Sequence, residues 1–314
     1  MKTYLKRFSF ALCVIFLAGC SKQPARDDFR VSEEAIVQET LIIEGLQEEY
    51  TLLFLTDMHI IVSSETDSEQ VAANALERAP MFVNPEGVSS AEQFPAWLKY
   101  AEKQEVDAML LGGDIIDYPS QANLEYLQEH LEPLEVPYIY TPGNHDWTYP
   151  WEYMTQRANE EYRPLLEPFM DNNTAIHSLD MGEFVVVAID NSSNQVDTSV
   201  LEEYQRILSG DKPVIVIAHV PFMTQSTLTK ARENWNSPVV IGGGNYGGIY
   251  PNDVSAAFVQ ETTKADSPVV AVLAGHVHFY DKDFIEGEKN ILQIVGDAGY
   301  NGKGILLRIS GSKE

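Results

Sequence analysis

Five short stretches of this chain carry side chains that can do chemistry. They are Asp57-Met58-His59, Gly112-Gly113-Asp114-Ile115-Ile116-Asp117, Gly143-Asn144-His145-Asp146, His219, and Gly275-His276-Val277-His278. Asp, Asn and His together offer a mixed oxygen and nitrogen ligand set, which suits Zn, Mn or Fe. Asp114 is the pivot of the set. Its two carboxylate oxygens can hold two metal ions at once, and Gly112 and Gly113, lacking Cβ, let other groups approach the backbone there. Two divalent ions about 4 Å apart repel each other, so anions must lie between them. Asp114 and a bridging hydroxide would supply those anions. The chain has seven histidines, and all but His130 and His177 lie in these stretches. A lone histidine is more often a packing or surface residue than a ligand, but five beside Asp, Asn, Gly or Pro at successive strand ends are not explained that way.

The elements that must position these groups are legible as apolar runs. Residues 50–56, 106–111, 136–141, 213–218 and 268–274 read as buried strands, and each runs into one of the five stretches. In open α/β sheets the carboxyl ends of strands line the ligand crevice. The spacing Asp57-x-His59, taken as extended chain with its two-residue repeat, puts both side chains on one side, and His276-x-His278 does the same. Helical spacing is expected over 68–79, with Val71, Ala75 and Leu76 on one face, and over 90–104, 123–131, 157–169, 199–208 and 254–263. Residues 174–179 and 184–189 form a strand pair around Asp180-Met181-Gly182. Further strands fall at 36–43, near Phe284, and at 291–295 and 305–309. The reading is one α/β domain, two sheets packed face to face as a sandwich with helices outside.

The five blocks in this order resemble the calcineurin-like metallophosphoesterase family, over residues 57–278. The resemblance implies a four-layer αββα fold and two metal ions. It implies that Asp57, His59, Asp114 and His278 hold one ion, and that Asp114, Asn144, His219 and His276 hold the other. His145 would act beside the substrate as general acid or as a donor to phosphoryl oxygens. Asp146 would orient His145, and Asp117 would stand behind the ligands or serve as a turn residue. The implied reaction is hydrolysis of a phosphate monoester or diester by direct attack of metal-bound hydroxide, with no side-chain nucleophile. Two other classes stand beside it. One is a non-catalytic, metal-containing binding or structural lipoprotein on the same fold; a scaffold, however, needs neither Asn144 nor His145. The other is a metallohydrolase acting on amides, against which the missing His-x-His-x-Asp-His run speaks.

Charge and the N-terminus set the context. A net charge of −26 repels nucleic-acid backbone and argues against nucleic-acid binding. Residues 1–19 hold Lys2, Lys6 and Arg7 before an apolar run from Phe8 to Leu17, too short to span a bilayer. Leu17-Ala18-Gly19-Cys20 then resembles a bacterial lipoprotein signal, which implies lipidation of Cys20, a membrane anchor and export. The only other cysteine, Cys13, lies in the segment that would be removed, so disulfide and thiol chemistry are excluded. Residues 20–35 read as a polar tether, and 36–314 as the catalytic domain. The glycine-rich run 242–248 lacks a nucleotide P-loop ending and reads as a loop; a sharper reading puts Asn245 and Tyr246 against substrate. The aromatic run Trp147, Tyr149, Trp151 and Tyr153 reads as packing, with an aromatic wall for a ring-bearing substrate as the alternative.

Overall fold

Side-chain alternation decides what each strand faces. The structure, a computed structural model, describes residues 29–237, 239–242 and 249–312. In β2 (Tyr50–Leu55), Leu52 and Phe54 enter an apolar layer between two sheets, while Leu53 and Leu55 meet helices on the other side. In β3 (Ala108–Leu111), Ala108 and Leu110 take the inner face, and Met109 and Leu111 the outer. The first sheet runs β1 (Ile36–Ile42), β11 (Gly304–Ser310), β2, β3, β4 (Tyr138–Tyr140). The second runs β5 (Ile176–Asp180), β6 (Val185–Ile189), β7 (Val214–Ile217), β8 (Val269–Ala274), β10 (Ile291–Val295), β9 (Asp281–Ile285).

Helices cover both outer faces. Phe94 and Trp97 of α2 (Ser90–Lys103) and Leu127 of α3 (Gln121–Leu131) pack on the first sheet. Val200 and Tyr204 of α5 (Thr198–Leu208) and Phe258 of α7 (Asp253–Thr263) pack on the second. Full burial of a side chain of this size stabilises by about 1.5–3 kcal/mol. The result is the expected four-layer αββα arrangement. Within the first sheet β2, β3 and β4 are parallel, and within the second β6, β7, β8 and β10 are parallel. Their carboxyl ends therefore share an edge, and the two edges meet.

Several helices begin where a hydroxyl or amide side chain takes up a free N–H. Ser68 caps α1 (Glu69–Arg78), and Ser89 with Glu92 forms a reciprocal cap on α2. Outside the ligand blocks, the structure departs from the sequence reading in four places. Leu76 is 81% exposed, because it lies five residues beyond Val71 and off the stripe that buries Ala75. The expected helix over 157–169 is a short α4 (Gln156–Tyr162) followed by a 3-10 run, Arg163–Phe169, because Pro164 and Pro168 cannot donate to an α-helical ladder. An unexpected helix, α6 (Gln225–Trp235), follows the His219 strand. The stretch read as tether is partly docked, with Val31 against the core and Ser32 capping the turn Glu33–Ala35. Cys20, Asn245 and Tyr246, with the whole of residues 1–19, lie outside the described residues. Among the described residues no helix is long and apolar enough to cross a membrane.

Candidate metal centre

The strand tips are locked to one another by backbone hydrogen bonds. The N–H groups of Asp57 and His59 donate to the carbonyls of Gly113 and Asp114 at 2.9 and 2.8 Å, tying the end of β2 to the end of β3. Across the sheets, the His276 N–H donates to both carboxylate oxygens of Asp57, at 3.1 and 2.9 Å. Close approach depends on absent Cβ atoms. A Cβ on Gly275 would lie 1.9 Å from Thr56 Oγ1, and one on Gly143 2.2 Å from the Asp114 nitrogen.

Asp57, His59, Asp114, His276 and His278 all have positive φ, between 47° and 72°. This corrects the extended-strand reading of Asp57-x-His59 and His276-x-His278. The side chains converge because these residues take the left-handed conformation, which costs non-glycine residues of order 1–3 kcal/mol each and clusters at functional sites.

The metal-capable atoms gather into overlapping groups. Asp57, His59 and His278 form one, and Asp114, His219 and His276 another; the ligand atoms in each lie within 4.8 Å of one another. Asp114 stands between them. Its Oδ2 is 3.1 Å from His219 Nε2 and 3.8 Å from His59 Nε2. Its Oδ1 instead accepts the His145 N–H at 2.7 Å. One oxygen of Asp114, rather than both, is thus turned toward the two groups.

Hydrogen-bond partners fix the lone pairs. His219 Nδ1 lies 2.9 Å from the Gly112 carbonyl, which only accepts, so Nδ1 carries the proton and Nε2 is the ligand atom. His59 Nδ1 lies 3.0 Å from Asp117 Oδ1, which leaves its Nε2 free in the same way.

Two contacts between ring nitrogens, one unpartnered ligand oxygen and the electrostatics of two ligands fit two cations. His59 Nε2 and His278 Nε2 face each other at 3.2 Å, and His276 Nδ1 and His219 Nε2 at 3.3 Å. Asn144 Oδ1 is buried without a hydrogen-bond partner, as a ligand oxygen would be. Burial, and then the charge of His219, bring His276 down to about 3, so its ring is neutral and able to ligate. Burial raises Asp57, but the hydrogen bond and charge of His278 outweigh it and hold the carboxyl at about 2. The two clusters form a dinuclear metal centre for divalent ions.

The carboxylate that touches His145 is Asp117, not Asp146. His145 Nδ1 lies 3.1 Å from Asp117 Oδ1 and 3.2 Å from the Asp117 carbonyl, so Nδ1 carries a proton that it donates to Asp117. Against burial, Asp114 and Asp117 raise His145 to about 9. Asp146 has another occupation. Its Oδ2 accepts the N–H groups of Asp114 and Gly143, and its Oδ1 accepts the Ile116 N–H and the Tyr140 hydroxyl, at 2.7–3.0 Å. It builds the backbone under the ligands.

Sequence reasoning missed Arg78. Its Nη2 donates to Asp117 Oδ1 at 2.8 Å and its Nε to Asp117 Oδ2. Burial pushes Asp117 up, but Arg78 and then His145 and His59 hold it well below the carboxylate range. No local signal marks Arg78, since it sits on α1 far from the five blocks. Asn191, after β6, was also missed; its side-chain oxygen accepts the N–H groups of His219 and Val220. The remaining histidines lie elsewhere, His130 against Tyr126 on α3 and His177 bonded to the Asn173 carbonyl. In the aromatic run, Trp147 is buried and Tyr149 stacks on Tyr118 and Trp151, which is packing; Tyr153 is 55% exposed.

Residues 50–280 match the family described as calcineurin-like phosphoesterase. A 3',5'-cyclic-nucleotide phosphodiesterase of Nostoc sp. is 30% identical over 94 residues, which is 29% of this chain and 29% of that relative's length. Among solved structures, the purple acid phosphatase PPD1 of yellow lupin (Lupinus luteus) aligns with a TM-score of 0.52 at 13% identity, over 84% of this chain and 46% of that one. A dimetal phosphatase from Danio rerio aligns with a TM-score of 0.47 at 10% identity, over 80% and 88%. The likeness in structure speaks for the fold alone. With the sequence match covering most of the chain, and with the ligand clusters where that family's blocks fall, the chain belongs to the calcineurin-like phosphoesterase family.

Proposed function

We propose that the chain is an exported, membrane-anchored lipoprotein that hydrolyses phosphate monoesters or diesters by direct attack of water, with no phosphorylated side chain on the way. The observation that carries the hydrolytic reading is the placing of Asp114 Oδ2 between two histidine-rich ligand groups, with His145 at their rim. Asp57, His59, Asp114 and His278 would hold one ion, and Asp114, Asn144, His219 and His276 the other. When bound, the ions neutralise phosphoryl charge and make a nucleophile available near neutral pH.

The residues supply the rest. Asp117 holds the Nδ1 side of His145, so Nε2 presents its proton to the leaving oxygen or to a phosphoryl oxygen. Asp146 keeps the N–H groups of Asp114 and Gly143 turned inward, which sets the Asp114 carboxylate. The short likeness to a cyclic-nucleotide phosphodiesterase favours counting diesters among the substrates. Export and anchoring rest on the basic, apolar and small-residue order of Lys2 to Cys20.

Purified protein stripped of metal and reloaded with Mn, Zn or Fe should turn over p-nitrophenyl phosphate or its bis-ester. Bound metal without turnover of either would return the chain to the binding-module class. Asp114→Asn should lose metal and activity together. His145→Ala should keep metal and lose about 10²–10⁴-fold in kcat; ordinary turnover would remove its role. An acid-stable phosphorylated side chain would overturn direct attack. Radiolabelled palmitate incorporation lost in Cys20→Ser tests the anchor, and its absence in the parent would sink that part alone.

A further inference from the structure

Trp235 stands out among the large aromatic side chains near the centre. Trp97 and Trp147 are fully buried and Trp151, 42% exposed, stacks on Tyr149, whereas Trp235, the last residue of α6, is 46% exposed and lies against a ligand histidine. It is nevertheless fixed. Its indole N–H donates to the carbonyl of Val277 at 2.8 Å, and Val277 lies between His276 and His278. The indole ring meets the His278 imidazole edge-on, with centroids 5.3 Å apart and planes at 77°. The opposite nitrogen of that imidazole, Nε2, points at Asp57 and His59. One imidazole ring therefore separates the indole from the ligand atoms. Asn236 follows with φ 51°, so the helix stops as soon as the indole has been delivered.

A held, half-exposed indole beside a phosphate-handling centre can serve as a stacking platform. Its orientation is already fixed by a hydrogen bond, so little side-chain entropy remains to be lost when a planar ring lies on it. Resting on the phosphoesterase reading above, we propose that Trp235 stacks on a planar aromatic group in the leaving portion of the substrate, so that the enzyme selects phosphate esters of nucleosides or of aryl alcohols over esters of simple sugars and alkyl alcohols.

Matched pairs isolate this effect. Adenosine 5'-monophosphate and ribose 5-phosphate share a reacting oxygen and differ by the base; phenyl and cyclohexyl phosphate form the aryl pair. Each is assayed as the monoester and as its methyl diester with the metal-loaded full chain. In Trp235→Ala the preference, measured as the ratio of kcat/KM within a pair, should fall about tenfold, carried by KM, and Trp235→Phe should restore most of it. The pair that responds identifies the source of the ring. Independently, adenosine 5'-monophosphate should quench indole fluorescence in the parent and not in Trp235→Phe, while ribose 5-phosphate quenches in neither. An unchanged ratio in both pairs, or a loss of metal and Tm with the ratio intact, makes Trp235 a packing residue and overturns the proposal. If the parent hydrolyses no member of either pair, the phosphoesterase reading fails, and the fluorescence arm alone decides for or against stacking.

Discussion

At the scale of single residues, two aspartates that look alike in sequence do different work. Asp146 receives four donors and no cation, whereas Asp117 receives Arg78, His59 and His145. Asparagine at position 146 would aim an NH₂ group at an N–H or O–H donor. That leaves buried donors unpaired at about 1–3 kcal/mol, so Asp146→Asn should lower Tm, by about 2–4 °C per kcal/mol in a domain of this size. Asparagine at position 117 keeps an acceptor but loses the charge that holds two imidazoles and a guanidinium. Asp117→Asn should cost about 10–100-fold in kcat or metal affinity. Thermal melts beside steady-state kinetics separate the two. A variant at 146 that melts normally but has lost its rate would exchange the roles of the two aspartates. Arg78→Ala should move in the same direction as Asp117→Asn, less steeply, because it removes the cation and leaves the carboxylate; an unchanged kcat would make Arg78 a mere partner of Asp117.

At the scale of elements, the active edge is made by glycines at the ends of strands. Thr56 and Asp57 at the tip of β2 occupy the space where a Cβ of Gly275, after β8, would lie. The two strands belong to different sheets, so this contact sets how the sheets meet at the site. Gly275→Ala should destabilise by about 1–3 kcal/mol and lose metal along with stability, read as a lower Tm and a lower bound-metal ratio. Retention of both would show that the edges can move apart without loss. What the sequence announces here follows from physical type. Each ligand block was visible because a fully apolar run ending in Gly, Asp or His is the pattern of a buried strand that delivers a polar side chain to a sheet edge. The left-handed turn at Asp57 and His59 was not, since φ is set by the hydrogen bonds to Gly113 and Asp114, residues distant in the chain. Helix α6 was missed because it buries only Thr227, Leu228 and Ala231 and is otherwise polar. The spacing of Leu228, Ala231 and Trp235, behind the cap Thr224, was the signal that could have found it, and with it the indole at the rim. Arg78 and Asn191 act through partners on other elements, which no local pattern reports.

At the scale of the whole molecule, the metal centre joins two halves that otherwise meet through an apolar layer. Asp57, His59 and Asp114 come from the first sheet, and His219, His276 and His278 from the second. The group of Asp57, His59 and His278 and the group of Asp114, His219 and His276 therefore each contain members of both sheets. Ions that bind this assembled edge and not the unfolded chain stabilise the fold by mass action, by about 2.7 kcal/mol for each site at a free concentration one hundred times its dissociation constant. The cations would also offset strain stored in five left-handed residues and the crowding of buried carboxylates in a chain of net charge −26. Chelation should lower Tm by several degrees in the parent, and readdition of metal should restore it. Amide exchange at His276 and Asp57, whose N–H groups bridge the strand tips, should accelerate on chelation, while amides in the inner strand β7 should not. In Asp114→Asn, Tm should no longer respond to metal. If chelation leaves Tm and the exchange of these tip amides unchanged while it abolishes turnover, the ions act on substrate alone and the sheets are held together without them.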